Sequence, residues 1–595
     1  TMIRIDQYSK LNMATGFCDT YGRNRMTYNG TGFEMIDKSN ESLAKKFCFG
    51  RQIVDNNFTD VFGVNTFVGI LHLSSKKVHT TAKHGIILRE FTPFVKCLPK
   101  ILVKTKKTTE YNDLYAVVKI ERYDEYFETL ICCVLEYITY PVNYKDDLSI
   151  LENIATSHWT KRHDKIAKML ANGSNISDLT PDRTDLTHLE VYSVDPPGCD
   201  DIDDAIHCIK TQCGYQIGIH IADVTSYIPK NDTYDIELSK RGQTIYFDNE
   251  SMNKINMIHE SLSIDVMSLK EKQIKRCFSV IIELDEVFNI TKVNFMKTLV
   301  NVTSNLSYDE CDAIIKKKSN QSLGLMYDIG RKINTFCDDS EYDVHNMIAT
   351  YMIYANKLVA EKIAKYDPTK VILRSQDSKK MSTKKIVDMD NDDKSSEIND
   401  LIRKHNALLS ERAYYQIGTN KCQHMELGLE HYTHFTSPIR RYIDMCVHRQ
   451  LYNVLTNQSL STIDIKTLFT INTYGKIYRQ IQRYSHLLEI AWKLTDCIET
   501  TAVIVLMRSE NNSIKLYIPE FNLYCDMYLF DKKMRHIIIK EISDKNDSCN
   551  DIIVLNNESI GKSLTLKLFD SVKVKLSISG GIDKLNVALV DNIFL

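Results

Sequence analysis

The stretch Leu189–Asp204, which reads LEVYSVDPPGCDDIDD, decides how this chain is organised. Its first half alternates in the manner of a β-strand, and Pro196, Pro197 and Gly198 then predict a sharp turn. Five carboxylates lie within the ten residues that follow Val194, and they are Asp195, Asp200, Asp201, Asp203 and Asp204. The stretch therefore predicts a strand that ends in an acidic loop.

Three interpretations of the acidic loop are open. A solvated turn is the simplest, because charged runs commonly face water. A calcium-binding EF-hand loop fits poorly, because the register that starts at Asp201 reaches Ala205 where a ligand is needed. Carboxylates this close repel one another unless a cation neutralises them, and such hard ligands suit Mg²⁺. The next expected strand, Tyr215–Val224, has alternating isoleucines, which indicate that it is buried. The acidic loop would then lie between two buried strands, and this favours a functional loop.

Composition excludes few classes of protein. The 595 residues are enough for several domains, and 75 basic against 77 acidic residues leave any nucleic-acid-binding surface to be local. Sixteen cysteines lack the spacing of a disulfide framework or a zinc site, which predicts reduced thiols. No stretch is long and apolar enough to span a membrane. We expect a soluble, cytoplasmic protein without a membrane partner, and a nuclear location stays open.

Both ends of the chain have a β pattern. The clearest strands before residue 145 are Phe67–Leu73, Gly85–Leu88, Leu114–Ile120 and Thr129–Ile138. Basic residues between them are typical of small barrels that bind single strands, although a plain β domain with a charged surface explains them as well. From about residue 500 a further barrel is expected, with strands at Ala502–Leu506, Ile514–Ile518 and Ser563–Ile578.

Between these ends the pattern becomes partly helical. Helices are predicted at Leu148–Leu170, Asn346–Tyr366 and Asp400–Ile417, and residues 382–396 read as an exposed loop.

The second informative stretch is Tyr432–Leu451, which reads YTHFTSPIRRYIDMCVHRQL. Its Thr-Ser-Pro sequence predicts a helix start that places Arg440 and Arg441 in the first turn. Cations oppose the helix dipole there, which indicates an anionic partner such as a phosphate. The alternative is an ion pair between Arg441 and Asp444.

Three blocks together resemble the signature of the RNase II (RNB) family of exoribonucleases, and they are VDPPGCDDIDDAIHC, IGIHIADVTSYI and GLEHYTHFTSPIRRYIDMCVHRQL. The sequence of these blocks is most similar to the eukaryotic branch of the family, which includes the exosome's catalytic subunit. The resemblance implies an α/β multidomain fold with a central RNB catalytic domain flanked by small OB-type β-barrels. The expected parts are two cold-shock-like barrels at 1–66 and 67–145, a helical linker at 146–185, the RNB domain at 186–499 and an S1-type barrel at 500–595.

The resemblance also implies an activity. Such enzymes hydrolyse single-stranded RNA processively from a free 3′ end, depend on Mg²⁺ and release 5′-mononucleotides. It implies one or two Mg²⁺ ions, with Mn²⁺ as a substitute, and protein partners that deliver RNA are not identified. The metal ligands implied are Asp195, Asp201, Asp203 and Asp204. Catalysis is assigned to Asp201, Asp203 and Arg440, and RNA binding to Tyr246, Arg440 and Arg441, with Tyr246 stacking on the terminal base.

The chain departs from the family pattern at two places. Ala349 and Thr350 stand where the family helix carries a pair of glutamates, and the segment 325–342 is short. Glu489 is a candidate substitute for a further family glutamate. These departures motivate the alternative hypothesis, a catalytically weak or inactive RNA-binding or scaffold protein with the RNB fold.

Overall fold

The computed structural model describes the middle of the chain nearly continuously and both ends in part. The described residues are 15–18, 25–28, 33–35, 51–54, 57–60, 66–75, 77–80, 87–93, 101–106, 113–124, 129–138, 159, 161–171, 183–247, 249, 252–334, 342–376, 401, 413–419, 424–494, 497–508, 513–528, 537–542, 552–557, 562–578 and 585–589.

The amino-terminal part of the chain is built of strands. Five short ones precede residue 66, namely β1 (Thr15–Cys18), β2 (Arg25–Tyr28), β3 (Phe33–Met35), β4 (Arg51–Val54) and β5 (Asn57–Asp60). Most of the barrel expected at 1–66 lies outside the described residues. Six more strands follow, namely β6 (Thr66–Leu71), β7 (His79–Thr80), β8 (Ile87–Pro93), β9 (Ile101–Lys104), β10 (Leu114–Asp124) and β11 (Thr129–Ile138). The order β6-β10-β11-β9-β8, with β8 pairing again with β6, closes a five-stranded barrel where one was expected.

A curled sheet forms the centre of the molecule. Its strands are β12 (Thr184–Asp185), β13 (Val191–Asp195), β14 (Asp204–Thr211), β15 (Gly214–Ala222), β16 (Ile274–Leu284) and β17 (Ile290–Ser307). The long β17 pairs with β16 and then with β13, so the sheet returns on itself. Ile217, Ile219 and Ile221 are fully buried in the core, as their alternation predicted.

Helices and two short strands pack around this sheet. They are α1 (Lys161–Ala171), α2 (Thr233–Arg241), α3 (Tyr308–Lys316), α4 (Gln321–Ile333), α5 (Val344–Tyr366), β18 (Ile372–Ser375), β19 (Tyr414–Ile417), α6 (Tyr442–Leu455) and α7 (Ile465–Lys493). The prediction of a helix at Asn346–Tyr366 is confirmed by α5. No helix among the described residues is long and apolar enough to cross a membrane.

Two predicted helices need correction. The prediction of a helix at Asp400–Ile417 is wrong at its end, because residues 414–417 form β19 and pair with β18. The side chain of Asn472 on α7 bonds both the N–H and the C=O of Tyr415, at 2.8 Å each, and so holds this segment extended. The helix expected at Leu148–Leu170 is described from Lys161, and Trp159 before it is not helical. The loop expected at 382–396 lies outside the described residues.

The carboxyl-terminal part returns to β structure. Its strands are β20 (Ile498–Arg508), β21 (Ser513–Ile518), β22 (Leu523–Tyr528), β23 (Ile537–Ile542), β24 (Ile552–Asn557), β25 (Lys562–Lys567), β26 (Ser571–Ile578) and β27 (Leu585–Leu589). Five of them form a sheet in the order β22-β21-β20-β26-β27. The sheet has its own apolar core, which includes Ile504, Leu516 and Val574. The strands predicted at Ala502–Leu506 and Ile514–Ile518 are therefore confirmed, whereas the stretch Ser563–Ile578 is divided by a turn into β25 and β26, which lie in different sheets.

Candidate active site

The acidic loop joins two neighbouring antiparallel strands in the middle of the central sheet, at one end of these strands. It begins after Asp195, the last residue of β13, and ends at Asp204, the first residue of β14. The turn closes with a 3.1 Å hydrogen bond from the Cys199 N–H to the Pro196 carbonyl. Gly198 has a φ of +79°, a conformation that favours glycine. The rigid turn brings the carboxylates of the loop to one end of the sheet.

Asp203 lies at the centre of the site and is 2% exposed. One carboxylate oxygen accepts a 2.7 Å hydrogen bond from the Ile439 N–H, and the other lies 3.1 Å from Arg440 Nε. Burial raises the pKa of Asp203 well above its usual range, although Arg440 opposes that shift. The Arg440 side chain is 45% exposed, so its guanidinium can contact a ligand while Nε stays on Asp203.

The segment that carries Arg440 precedes helix α6 and does not belong to it. Arg441 is the residue before the helix and has an extended backbone. The Thr244 N–H donates to the Arg440 carbonyl at 2.9 Å, and the Tyr442 N–H donates to the Gly242 carbonyl at 2.8 Å. The prediction that both arginines lie in the first helical turn is therefore wrong, because Arg440 belongs to the turn that precedes the helix and this pairing holds Arg441 extended.

Arg441 makes the ion pair that the sequence offered as an alternative. Its Nη2 lies 2.8 Å from the carboxylate of Asp444, which is fully buried. The same Asp444 oxygen accepts a 2.8 Å hydrogen bond from the Ser437 N–H. Arg441 thus stabilises the turn that contains Arg440. The expected contact of Arg441 with RNA stays a prediction.

Lys254 is a functional candidate that the sequence analysis missed. Its ammonium contacts one carboxylate oxygen each of Asp200 and Asp201, the latter at 2.6 Å. Although burial lowers the pKa of Lys254, these two hydrogen bonds raise it, so the side chain is a cation. A small antiparallel bridge between Ile245 and Ile255 brings it into place. No local pattern marks Lys254, since 53 residues separate it from Asp201.

The same bridge positions Tyr246. Its hydroxyl donates a 3.3 Å hydrogen bond to the second carboxylate oxygen of Asp201. The residue is 38% exposed, so part of its ring is free to meet a ligand. Burial raises the pKa of Tyr246, and the nearby charge of Asp201 adds to this, so the phenol stays protonated at neutral pH.

Asp195 and Asp204 have no ion-pair partner among the described residues. Asp195 Oδ2 is buried and accepts no hydrogen bond from them. Burial raises the pKa of Asp195, and burial followed by repulsion from Asp195 raises the pKa of Asp204 to about 7. These two carboxylates therefore lack a neutralising charge of their own.

The loop opens into a cavity of about 500 Å³. The four expected metal ligands, Tyr246, Lys254 and Arg440 line it on one side. Helix α5 lines it elsewhere with His345, Ile348, Ala349 and Met352. Ala349 therefore faces the cavity, whereas Thr350 is buried and its hydroxyl donates to the Asn346 carbonyl at 2.7 Å. Glu489 is ion-paired with Lys493 at 2.5 Å and is not among the lining residues.

The donor set fits a hard divalent cation. Carboxylate oxygens are the ligands that Mg²⁺ prefers, and the buried Oδ2 of Asp195 lacks a neutralising partner. Within the described ranges, no three His, Cys, Asp or Glu side chains are already arranged as a metal site. Lys254 and Arg440 hold Asp201 and Asp203 in this conformation. Asp195 and Asp204 are the loop carboxylates without an ion-pair partner in the described part of the chain.

Comparisons with known proteins identify a known domain in the middle of the chain. A model of the RNB domain matches residues 183–335 and 323–457. The probable exosome complex exonuclease of Caenorhabditis elegans is 28% identical over 469 residues, which are 67% of this chain and 47% of that protein. The exosome complex exonuclease of Mus musculus is 28% identical over 482 residues, or 69% and 48% of the two chains. The chain thus spans about half the length of these curated relatives.

Solved structures show the same fold. Mycoplasma genitalium RNase R in complex with ribose methylated single-stranded RNA has a TM-score of 0.68 at 16% identity, covering 97% of this chain and 100% of that one. Yeast Ssd1, a pseudonuclease, has a TM-score of 0.68 at 17% identity, covering 90% and 84%. The expected architecture, a central α/β domain with OB-type domains, is therefore confirmed. The exact domain boundaries stay predictions.

Proposed function

The chain belongs to the RNB family, and from this premise we propose that it is a hydrolytic 3′→5′ exoribonuclease. It degrades single-stranded RNA processively from a free 3′ end and releases 5′-mononucleotides. The observation that carries the proposal is Asp203, which is buried between the Ile439 N–H and the Arg440 guanidinium inside an acidic cavity. The relatives named above as exonucleases support the reaction class.

Each residue of the site has its own role in the proposed reaction. Arg440 binds the scissile phosphate with its exposed nitrogens and stabilises the charge that develops there. Asp203 fixes the orientation of Arg440 through Nε. Tyr246 stacks on the terminal base, a contact that tolerates any sequence. Degradation is therefore nearly independent of sequence, and contacts to the 2′-hydroxyl select RNA over DNA.

Mg²⁺ is the proposed cofactor, and Mn²⁺ is an accepted substitute. Asp195 and Asp204 would hold the first ion, and Asp201 and Asp203 are the further ligands that the family resemblance implies. When bound, such a cation lowers the pKa of a water molecule and neutralises charge on the phosphate. Divalent-metal dependence is general among RNB-family exoribonucleases. Protein partners that deliver RNA are not part of this proposal. A cytoplasmic setting is part of it, supported by sixteen cysteines that lack the spacing of a disulfide framework.

The proposal is tested with a single-stranded RNA labelled at its 5′ end. We expect shortening that needs Mg²⁺, produces mononucleotides, and stops when the 3′ end is blocked. Asp203→Asn should lower the rate at least about 100-fold, because the carboxylate charge beside Arg440 is lost. RNA affinity should be kept, because the basic surfaces are untouched. An Asp203→Asn variant that cleaves as fast as the parent would contradict the assignment.

A second function is favoured by one observation. Ala349 presents a methyl group to the cavity where the family pattern has a glutamate, and the cavity wall on α5 is otherwise mainly apolar. This favours a catalytically weak or inactive RNA-binding protein. Tight RNA binding without release of mononucleotides in Mg²⁺ or Mn²⁺ would support this alternative and exclude the exonuclease.

A further inference from the structure

We propose that the ammonium of Lys254 takes the place of a second metal ion, so that the site binds one divalent cation per chain. The inference rests on the proposed function and deepens it, because the number of ions was left open. It concerns the part of the acidic loop formed by Asp200 and Asp201. Lys254 acts there as a positioning residue.

The charges of the loop fall into three groups. Asp200 and Asp201 share Lys254. Asp203 has Arg440 at 3.1 Å. Asp195 and Asp204 have no cation of their own among the described residues, and Asp195 Oδ2 is buried without a hydrogen bond. One divalent cation at Asp195 and Asp204 then matches the charge of these two carboxylates, and the loop keeps one net negative charge because Asp200 and Asp201 share a single lysine.

Lys254 is held firmly in its position. Its side chain is 23% exposed, and the Asp201 side chain is only 3% exposed. The neighbouring Ile255 exchanges two backbone hydrogen bonds with Ile245, at 2.9 Å each. The other Asp201 oxygen accepts the hydrogen bond from Tyr246, so both oxygens of this carboxylate are engaged. A metal ion at Asp201 would have to displace the lysine from two carboxylates.

Lys254 also determines the orientation of the Asp201 carboxylate. By holding Asp201 Oδ1, the lysine orients Oδ2 towards Tyr246, the residue proposed to stack on RNA. Loss of the lysine charge should leave Asp200 and Asp201 as two adjacent unneutralised carboxylates. Such a pair, on a rigid loop, is the donor set that a second hard cation needs.

The test counts bound ions rather than activity. The full chain is titrated with Mn²⁺, and free Mn²⁺ is followed by electron paramagnetic resonance. We expect one ion per chain for the parent and for Lys254→Arg, which keeps the charge. We expect two for Lys254→Met, and a return to one for Lys254→Met combined with Asp200→Asn. Lys316→Met is the matched control and should bind one, because Lys316 pairs with Asp312 on an exposed helix surface.

The ion counts distinguish a failure of this inference from a failure of the proposed function. A parent that binds two ions overturns the inference, and so does a folded Lys254→Met variant that still binds one. Circular dichroism identifies a variant that does not fold, and in that case the ion count of the parent decides alone. If the parent binds one ion and Lys254→Met binds two, but neither releases mononucleotides, the role of Lys254 stands and the proposed nuclease function fails.

Discussion

Single residues decide how charge is distributed around the acidic loop. Arg440 and Arg441 are neighbours in the sequence, yet their surroundings differ. Arg440 reaches Asp203 and remains half-exposed in the cavity, whereas Arg441 pairs with the fully buried Asp444. A buried carboxylate that loses its only nearby cation is costly, because its charge is then uncompensated. The two arginines should therefore respond differently to substitution.

Replacement of Arg441 by alanine should lower the free energy of unfolding by about 3 kcal/mol, because Asp444 is left unpaired. Adding Asp444→Asn should recover part of that loss, since no buried charge then remains. Chemical denaturation of both variants measures the effect. The same proteins decide whether Arg441 also binds RNA, because folded Arg441→Ala should bind RNA as the parent does if the ion pair is its whole role.

At the scale of elements, the central sheet carries a buried polar row across four strands. His207 Nδ1 and His220 Nε2 lie 2.8 Å apart, His220 Nδ1 and Ser279 Oγ lie 2.7 Å apart, and Ser279 Oγ lies 2.6 Å from Thr298 Oγ1. Gly218 makes room for this row, because a Cβ there would lie 2.2 Å from the ring of His207. The row depends on a small residue and on neutral imidazoles.

Gly218→Ala should destabilise the protein by about 2 kcal/mol, because an overpacked core must shift neighbouring groups. Gly324→Ala is the matched control, since Gly324 lies inside α4 and a Cβ added there would meet no atom within 4 Å. Alanine there should be neutral or raise the free energy of unfolding by up to about 1 kcal/mol. Equal effects of the two substitutions in urea denaturation would contradict the packing argument.

Acid should weaken the same sheet. Burial lowers the pKa of His207 from 6.5 to about 4, and His188 adds a smaller shift in the same direction. The unfolded chain therefore binds a proton more readily, and stability falls as the pH drops from about 6.5 towards 4. For His207 alone the loss at pH 5 should be about 2 kcal/mol. His207→Gln should show a shallower decline in unfolding free energy between pH 7 and pH 5, and an unchanged slope would refute this.

At the scale of the whole molecule, small β domains lie on both sides of the α/β domain. The closed barrel of β6 and β8–β11 precedes it, and the sheet that contains β20 and β26 follows it. Lys573 and Lys575 on β26 are exposed on the second of these, and Lys567 is exposed at the end of β25, which belongs to a separate three-stranded sheet. A basic surface away from the cavity should add RNA affinity without taking part in cleavage.

Neutralising Lys573 and Lys575 together as glutamines should weaken binding of single-stranded RNA. The slope of log affinity against log salt should fall by about 1.4, since each phosphate contact contributes about 0.7. Cleavage of saturating short RNA should keep its rate. Filter binding across a salt series measures the slope, and an unaltered slope would show that this face does not contact RNA.

Much of the fold and of the site follows from local sequence. The strand β13, the turn after Asp195 and the carboxylates of the loop lie close together in the chain, so neighbouring residues determine them. Helix α5 was predicted within two residues at its start for the same reason. The three motif blocks also indicated the family before any geometry was known.

Other features were decided only by the tertiary structure. Ile439 reaches Asp203 across 236 residues, and Lys254 reaches Asp201 across 53. Pairing with residues 242–244 keeps Arg440 and Arg441 out of helix α6, and pairing with β18 makes a strand of β19. Local propensities differ by less than about 1 kcal/mol per residue, so long-range backbone hydrogen bonds and buried ion pairs override them. The sequence by itself determined which acidic residues gather at the loop, and the tertiary structure decided which cations neutralise them.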